Sequence, residues 1–134
     1  MLRLSKRVEY GLIALRHFAS IHDGSVCTAK EISQKYNVPH ELLAKVLQKL
    51  AQARIIQSYQ GVRGGYLLLQ NPKNIKISDV INAIELEKPM LAECFAQGPE
   101  SCYIFDECTI RRPLGKIQRN INNFFHTMTI AEIV

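Results

Sequence analysis

Three cysteines, Cys94, Cys102 and Cys108, lie close together in the last third of the sequence, whereas Cys27 stands alone near its start. Thiolates brought together by one loop are ligands that suit iron-sulfur clusters or zinc. The sequence has no Cys-x-x-Cys pair of the zinc-finger kind, which favours an iron-sulfur cluster over zinc. The alternative is three ordinary cysteines, one or two of them buried as small apolar side chains.

The segment that carries these cysteines, residues 86–108, has no helical or strand periodicity and contains Pro89, Gly98 and Pro99. Long irregular segments inside compact domains usually have a function of their own. We therefore predict a cysteine-bearing loop at 86–108, which we call the cysteine segment. It lies between a unit at 1–85 and a C-terminal unit at 109–134.

The net charge of +5 on the 134-residue chain is distributed unevenly. Residues 1–72 contain ten Lys or Arg against four Asp or Glu, while residues 73–134 contain seven against eight. A basic half predicts binding to a polyanion such as nucleic acid. The sequence has no apolar run of bilayer length and no signal-peptide pattern, so we expect a cytoplasmic protein with no membrane partner.

Helix signals in the basic half predict a helix-turn-helix. A first helix is expected over about 5–21, with Ser5 as its N-cap. The sequence Thr28-Ala29-Lys30-Glu31 matches a capping box, which places a second helix from there to Tyr36. After a short turn, a third helix is expected from about Pro39 to Ala53. Two helices joined by so short a turn are typical of a helix-turn-helix.

A β-hairpin is predicted directly after the third helix. The β-prone runs 55–59 and 66–70 flank a glycine-rich turn at 60–65. A short helix over 79–85, capped by Ser78, completes this unit. The fold class is therefore mainly α with a small β-hairpin, a winged helix-turn-helix followed by a long C-terminal helix.

A DNA-binding face is predicted on the third helix and on the hairpin, or wing. The N-terminal end of such a helix presents polar side chains to base edges, and cations beside it meet phosphates. An arginine at a wing tip can enter a narrow minor groove. The predicted DNA-binding residues are Thr28, Pro39, His40, Glu41, Ala44, Lys45, Gln48 and Arg63. The alternative is a winged-helix module that binds another protein.

The C-terminal helix is predicted to form a homodimer. Its apolar residues recur at alternating steps of four and three, the pattern of a helix packed along another helix. This apolar seam consists of Ile110, Leu114, Ile117, Ile121, Phe124 and Met128. The alternative is that the helix folds back on its own domain.

Taken together, the motifs resemble the Rrf2 family of bacterial winged-helix transcriptional regulators, of the iron-sulfur cluster regulator IscR and nitric-oxide sensor NsrR type. The resemblance rests on the opening 4–10, the helix-turn-helix through Leu50, the wing sequence 64–68, the cysteine segment and the ending 129–132. It implies a homodimer that binds near-palindromic promoter DNA. It also implies a [2Fe-2S] or [4Fe-4S] cluster ligated by Cys94, Cys102 and Cys108, of which we favour [2Fe-2S].

The fourth ligand departs from one pattern of this family and fits another. In the IscR-like pattern a histidine three residues after the last cysteine completes the site, but Arg111 occupies that position here. The NsrR-like pattern takes a carboxylate from helix 1 of the partner subunit, and Glu9 occupies its place. The alternative for Glu9 is a partly buried or salt-bridged helix residue.

The sequence thus predicts a transcriptional regulator, a repressor, whose DNA affinity responds to iron-sulfur status, redox state or nitric oxide. No enzyme is predicted, because no nucleophile-base pair is evident and Gly64-Gly65 lacks the wider glycine pattern of a phosphate-binding loop. A cluster-free thiol redox switch is the alternative among regulators.

Overall fold

The computed structural model describes residues 3–134, which form six α-helices, one β-hairpin and three short 3₁₀ turns. The helices are α1 (Lys6–Ala19), α2 (Ala29–Tyr36), α3 (His40–Gln52), α4 (Ile77–Ile84), α5 (Glu93–Gln97) and α6 (Arg111–Thr127). The strands are β1 (Ile56–Tyr59) and β2 (Gly65–Leu68). The winged-helix fold class is confirmed. None of the helices in residues 3–134 is long and apolar enough to cross a membrane.

Local capping residues set the helix starts. The Ser5 hydroxyl accepts a hydrogen bond from the Val8 amide at 3.2 Å and begins α1 as predicted. The Thr28 hydroxyl accepts from the Glu31 amide at 3.1 Å, which is one half of the predicted capping box. The predicted Ser78 cap of α4 is wrong, because α4 begins before Ser78.

The N-cap of α4 is Lys76, whose backbone N–H donates to the Asp79 carboxylate at 2.9 Å. A carboxylate in the first turn satisfies a free amide and also meets the positive end of the helix dipole. Asp79 therefore stabilises the start of α4 by accepting from the N-cap amide, which Ser78 does not do.

One hydrophobic core joins α1, α3 and α4 with the wing. Its fully buried side chains include Val8, Leu15, Ile32, Leu43, Leu47, Leu50, Ile56, Ile75, Val80 and Ile84. Each such side chain contributes about 1.5–3 kcal/mol through its removal from water. Gly11 lets α1 approach α4, since a Cβ atom there would lie 2.6 Å from Cδ1 of Ile84.

The wing is an antiparallel pair in which Ile56 faces Leu68 and Tyr59 faces Gly65. Cys27 extends it by one residue on the other side of β2, since its N–H donates to the Tyr66 carbonyl at 3.1 Å and its carbonyl accepts from the Tyr66 N–H at 2.8 Å. Gly65 has a φ of 154°, and a Cβ atom there would lie 2.9 Å from the Cys27 carbonyl oxygen. Glycine at this position thus permits the close approach of Cys27 to the wing.

The residues after α6 return to the core of the winged helix. The Ile77 N–H donates to the Met128 carbonyl at 2.9 Å, and the Ile130 N–H donates to the Ile75 carbonyl at 2.8 Å. The Ile130 side chain is fully buried. The C-terminal tail is therefore part of the same packing as residues 3–85, although the sequence analysis grouped it with the C-terminal helix.

Candidate DNA-binding face and cysteine segment

The third helix presents a polar face to solvent and an apolar face to the core. Leu43, Val46, Leu47 and Leu50 are buried. The predicted DNA-binding residues Pro39, His40, Glu41, Lys45 and Gln48 are exposed, and Ala44 is half-buried. This division follows from the spacing of the leucines, and it leaves the N-terminal end of α3 free to contact a ligand.

A cationic cleft of about 130 Å³ lies between α1 and α3. Its lining contains Arg7 and Lys45 as well as Lys49. The Lys49 ammonium donates to the Ile84 carbonyl at 3.0 Å, so this lysine caps the C-terminal end of α4 instead of standing free. Arg7 has no sequence signal for this position, because its approach to α3 depends on how α1 crosses that helix.

The tip of the wing carries Arg63, which is exposed between Val62 and Gly64. A Cβ atom at Gly64 would collide with the Tyr59 carbonyl oxygen, so the tight turn that presents Arg63 requires glycine there. Thr28 is half-buried, and its hydroxyl is occupied by the α2 cap. The eight predicted DNA-binding residues therefore lie on α3, at the start of α2 and at the wing tip.

The cysteine segment is more structured than predicted. Cys94 lies on the short helix α5, and a 3₁₀ turn at Pro99–Ser101 leads into Cys102. The Gly98 N–H donates to the Cys94 carbonyl at 3.1 Å, and the Phe105 N–H donates to the Cys102 carbonyl at 3.1 Å. Short local hydrogen bonds thus organise the segment without a continuous helix.

The thiols of Cys94, Cys102 and Cys108 are free and half-buried. Within residues 3–134, no three Cys, His, Asp or Glu side chains are gathered in a group that could hold a metal ion. The donor set still fits an iron-sulfur cluster, because three unpaired thiols lie in one segment and thiolates are the ligands that such clusters take. Binding would require the segment to rearrange so that the three sulfur atoms converge.

Glu9 forms an ion pair within its own helix in this structure. Its Oε2 lies 2.8 Å from the Lys6 ammonium, one turn earlier on α1. The hydrogen bond and the charge of Glu9 raise the pKa of Lys6 above its ordinary value of 10.5. The pair is exposed enough to open without cost to the core, so Glu9 can exchange Lys6 for another partner.

The C-terminal helix α6 holds the cysteine segment at two points that the sequence analysis missed. The Arg111 guanidinium lies 3.9 Å above the Phe105 ring and donates to the Phe105 carbonyl at 2.7 Å. The Gln118 side chain accepts from the Leu91 N–H at 2.8 Å. These contacts join residues distant in sequence, and no local pattern signals them.

The predicted apolar seam lies on the outer side of α6. Ile110, Ile117 and Phe124 expose 57%, 49% and 57% of their surface, while Leu114 and Ile121 are half-buried. A neighbouring face of α6, which includes Phe125, packs against the core. The helix thus folds back on its own domain through one face and still leaves an exposed apolar stripe on the next.

A polar cluster at the base of the wing surrounds Cys27. Its Sγ lies 3.5 Å from Nε2 of His17, whose Nδ1 lies 2.8 Å from the Tyr36 hydroxyl. Burial raises the pKa of the Cys27 thiol, and Glu31 raises it further. Burial also lowers the pKa of His17, as does the nearby Lys35. These shifts favour the neutral forms of both side chains.

Comparison with known proteins gives one family and several solved structures. The family model for Rrf2, described as an iron-dependent transcriptional regulator, matches residues 4–134. CymR (YrzC), the global cysteine regulator of B. subtilis, is 25% identical with a TM-score of 0.75, and the match covers 99% of this chain and 96% of that one.

Two further solved structures share the fold. T. potens IscR is 23% identical with a TM-score of 0.74, over 98% of this chain and 85% of that one. The oxidized form of Staphylococcus aureus CymR is 21% identical with a TM-score of 0.73, over 96% of this chain and 93% of that one. The family match over residues 4–134 includes the winged helix, the cysteine segment and α6.

Proposed function

Because the chain belongs to the Rrf2 family of DNA-binding transcription regulators, we propose that an iron-sulfur cluster held by its cysteine segment controls its binding to promoter DNA. The family consists of transcription regulators, which confirms the prediction that the chain is not an enzyme. In this proposal residues 1–85 bind DNA, residues 86–108 hold the cluster that senses the signal, and residues 109–134 form the dimer. The protein acts as a repressor in the cytoplasm.

The DNA-binding part of the proposal is supported by the exposed face of α3 beside a wing that presents Arg63. Lys45 and Arg7 line one cleft, which would place two cations beside the N-terminal half of α3. Cations in this position neutralise phosphates while His40, Glu41 and Gln48 face the base edges. The DNA is double-stranded and near-palindromic, because a two-fold dimer presents two such helices.

The dimer is supported by the exposure of the apolar seam. Three large side chains at seven-residue spacing, Ile110, Ile117 and Phe124, are each about half exposed in the protomer. A contiguous apolar stripe on a 17-residue helix is covered most simply by the same stripe of a second copy. In the dimer the two copies of α6 pack along each other.

The single observation that carries the sensing role is the set of three free, half-buried thiols in one segment attached to the dimer helix. Cys94, Cys102 and Cys108 would hold the cluster, with Glu9 of the partner subunit as fourth ligand and [2Fe-2S] favoured over [4Fe-4S]. When bound, such a cluster supplies a centre that reacts with oxidants and nitric oxide. Glu9 would leave Lys6 to take this position.

A second candidate is a cluster-free thiol switch. It is favoured by the four free cysteines and by the absence of a preformed metal-ligand group in the part of the chain that the structure describes. Likeness to the global cysteine regulator of B. subtilis gives it further support. In this candidate the thiols themselves undergo reversible oxidation.

The deciding experiment is anaerobic purification followed by visible absorption and by assays for iron and acid-labile sulfide. We expect two iron and two sulfide ions per chain for a [2Fe-2S] cluster. They should be absent from Cys102→Ala and retained by the control Cys27→Ala. Binding to a DNA fragment that the protein selects in vitro, measured by fluorescence anisotropy, should differ between the loaded and stripped proteins.

Three other outcomes distinguish the alternatives. A colourless anaerobic protein with reversible disulfides would establish the thiol switch. A coloured protein whose promoter affinity is the same with and without iron would remove the sensing role. A protein without salt-sensitive DNA binding in either form would be a protein-interaction module.

A further inference from the structure

Gln118 is an unusual residue of α6 because its polar side chain is buried. It is only 6% exposed, and it is the one polar or charged residue classed as buried among residues 3–134. Its Oε1 accepts from the Leu91 N–H at 2.8 Å, and its Nε2 donates to Asn122 at 3.0 Å and to the Pro89 carbonyl at 3.4 Å. A buried amide costs free energy unless it is paired, so these partners explain why the site tolerates glutamine.

Arg111 makes the matching attachment at the other end of the cysteine segment. Its guanidinium stacks on the Phe105 ring at 3.9 Å and donates to the carbonyl of the same residue at 2.7 Å. One side chain thereby holds both the ring and the backbone of Phe105, which lies between Cys102 and Cys108. An arginine can do this because its planar guanidinium stacks and donates at once.

The two attachments lie on one side of α6. Residues seven apart in a helix are separated by two turns and share a face. Cys94 and Cys102 lie between Leu91 and Phe105, so they are in the part of the segment that these two contacts bracket. Leu114, Ile117 and Ile121 of the apolar seam lie on the adjacent face of the same helix.

We infer that Arg111 and Gln118 are positioning residues that clamp the cysteine segment to α6, so that a rearrangement of the segment moves the apolar seam. The clamp rests on contacts within one protomer, and its regulatory consequence rests on the proposed function. Convergence of the three thiols around a metal would pull Leu91 and Phe105, and each is tied to α6 by a short hydrogen bond. Because α6 is one continuous 17-residue helix joined by its own backbone hydrogen bonds, a pull at Arg111 and Gln118 would displace the seam together with them.

The first test uses the metal-free protein. Amide hydrogen exchange should be roughly tenfold faster at Leu91 in Gln118→Leu than in the wild type, because the side chain that accepts from this N–H has been removed. In Arg111→Lys, exchange around Phe105 should rise similarly, since lysine keeps the charge and loses the stacked, planar donor. The controls are Arg112→Lys and Arg119→Leu on exposed positions of α6, which should leave both sites unchanged.

The second test asks whether a rearrangement of the cysteine segment changes dimer formation through the apolar seam. The dimer dissociation constant is determined by sedimentation for the metal-free and iron- and sulfide-reconstituted proteins. We expect reconstitution to change it several-fold in the wild type and by a factor near one in Gln118→Leu. Arg119→Leu should behave as the wild type does. Leu114 and Ile121 of the seam are neighbours of Gln118 on α6, so the metal-free protein is the control for local packing. A merely local role would change the dissociation constant equally with and without the reconstituted cluster, whereas the clamp predicts loss of the response to reconstitution alone.

The failures can be told apart. Unchanged hydrogen exchange at Leu91 and Phe105 in the variants would disprove the clamp whether or not a cluster forms. If exchange is faster but reconstitution still changes the dimer dissociation constant as in the wild type, the clamp exists and does not link the cysteine segment to the seam. If wild-type protein takes up no iron, the proposed function fails, while the hydrogen-exchange result still decides the clamp.

Discussion

The imidazole of His17 on α1 contacts the thiol of Cys27, with Nε2 lying 3.5 Å from Sγ. Cys27 is also hydrogen-bonded through its backbone to Tyr66 of the wing. The contact therefore links α1, the start of the helix-turn-helix and the wing at one point. Burial lowers the pKa of His17 and Lys35 lowers it further, while Glu31 opposes the shift, so the folded arrangement favours the neutral imidazole.

The fold should lose stability as the pH falls through about 6.5. The pKa of His17 is below its ordinary value of 6.5 in the folded chain, so the unfolded chain binds more protons in this range. In the wild type, denaturant midpoints measured between pH 8 and pH 5 should decrease as the pH is lowered. The substitution His17→Gln should make the midpoint depend less on pH. A slope that survives in the variant would assign it to another group.

Removing the cations of the proposed DNA face should weaken promoter binding. Arg63→Ala and Lys45→Ala are each expected to lower affinity and to reduce the slope of log K against log salt by about one, as expected for the loss of one phosphate contact. Fluorescence anisotropy at several salt concentrations gives both quantities. Arg119→Ala removes an exposed cation from α6 and should leave the slope unaltered. Wild-type binding by both variants would place the DNA elsewhere on the molecule.

A charge in the apolar seam should separate the dimer without unfolding the protomer. Ile117 is 49% exposed, so aspartate costs the protomer core little, whereas an interface would bury the carboxylate without a partner. Ile117→Asp should sediment as a monomer with a wild-type circular dichroism spectrum. Asn123→Asp adds the same charge on an exposed position outside the seam and should remain dimeric. A dimeric Ile117→Asp would move the interface to another surface.

Two substitutions separate the possible roles of Glu9. If Glu9 ligates the cluster across the dimer, Glu9→Ala should alter the visible spectrum of the reconstituted protein and shorten its lifetime in air. Lys6→Ala breaks the same ion pair and keeps the carboxylate, so it should retain the spectrum. If both variants keep the wild-type spectrum and lifetime, Glu9 is not a ligand and serves only in the ion pair with Lys6.

Local signals predicted the elements that carry the proposed DNA-binding face. Ser5 and Thr28 cap helices because their hydroxyls accept from free backbone amides. Pro39 marks the start of α3 because proline has no backbone N–H to leave unpaired there. The wing was predictable because its glycines permit a turn that other residues cannot make. These effects act over a few residues, so the sequence is sufficient to reveal them.

The attachments of the cysteine segment were not predictable in the same way. Gln118 is indistinguishable in the sequence from the exposed polar residues of α6, and its burial depends on Leu91 and Pro89 arriving from far along the chain. The two-turn spacing of Arg111 and Gln118 has no local signature. The short helix α5 was missed because five residues are too few to establish a periodicity.

Ile130 fills the core of the winged helix from a position beyond both the cysteine segment and α6. During synthesis, the DNA-binding elements leave the ribosome well before this side chain does. Their core stays open beside Ile75 until residue 130 has emerged, because long-range contacts close only when both strands of chain are present. The winged helix therefore gains its last core side chain only after the cysteine segment and α6 have been synthesised, which links the folding of these regions.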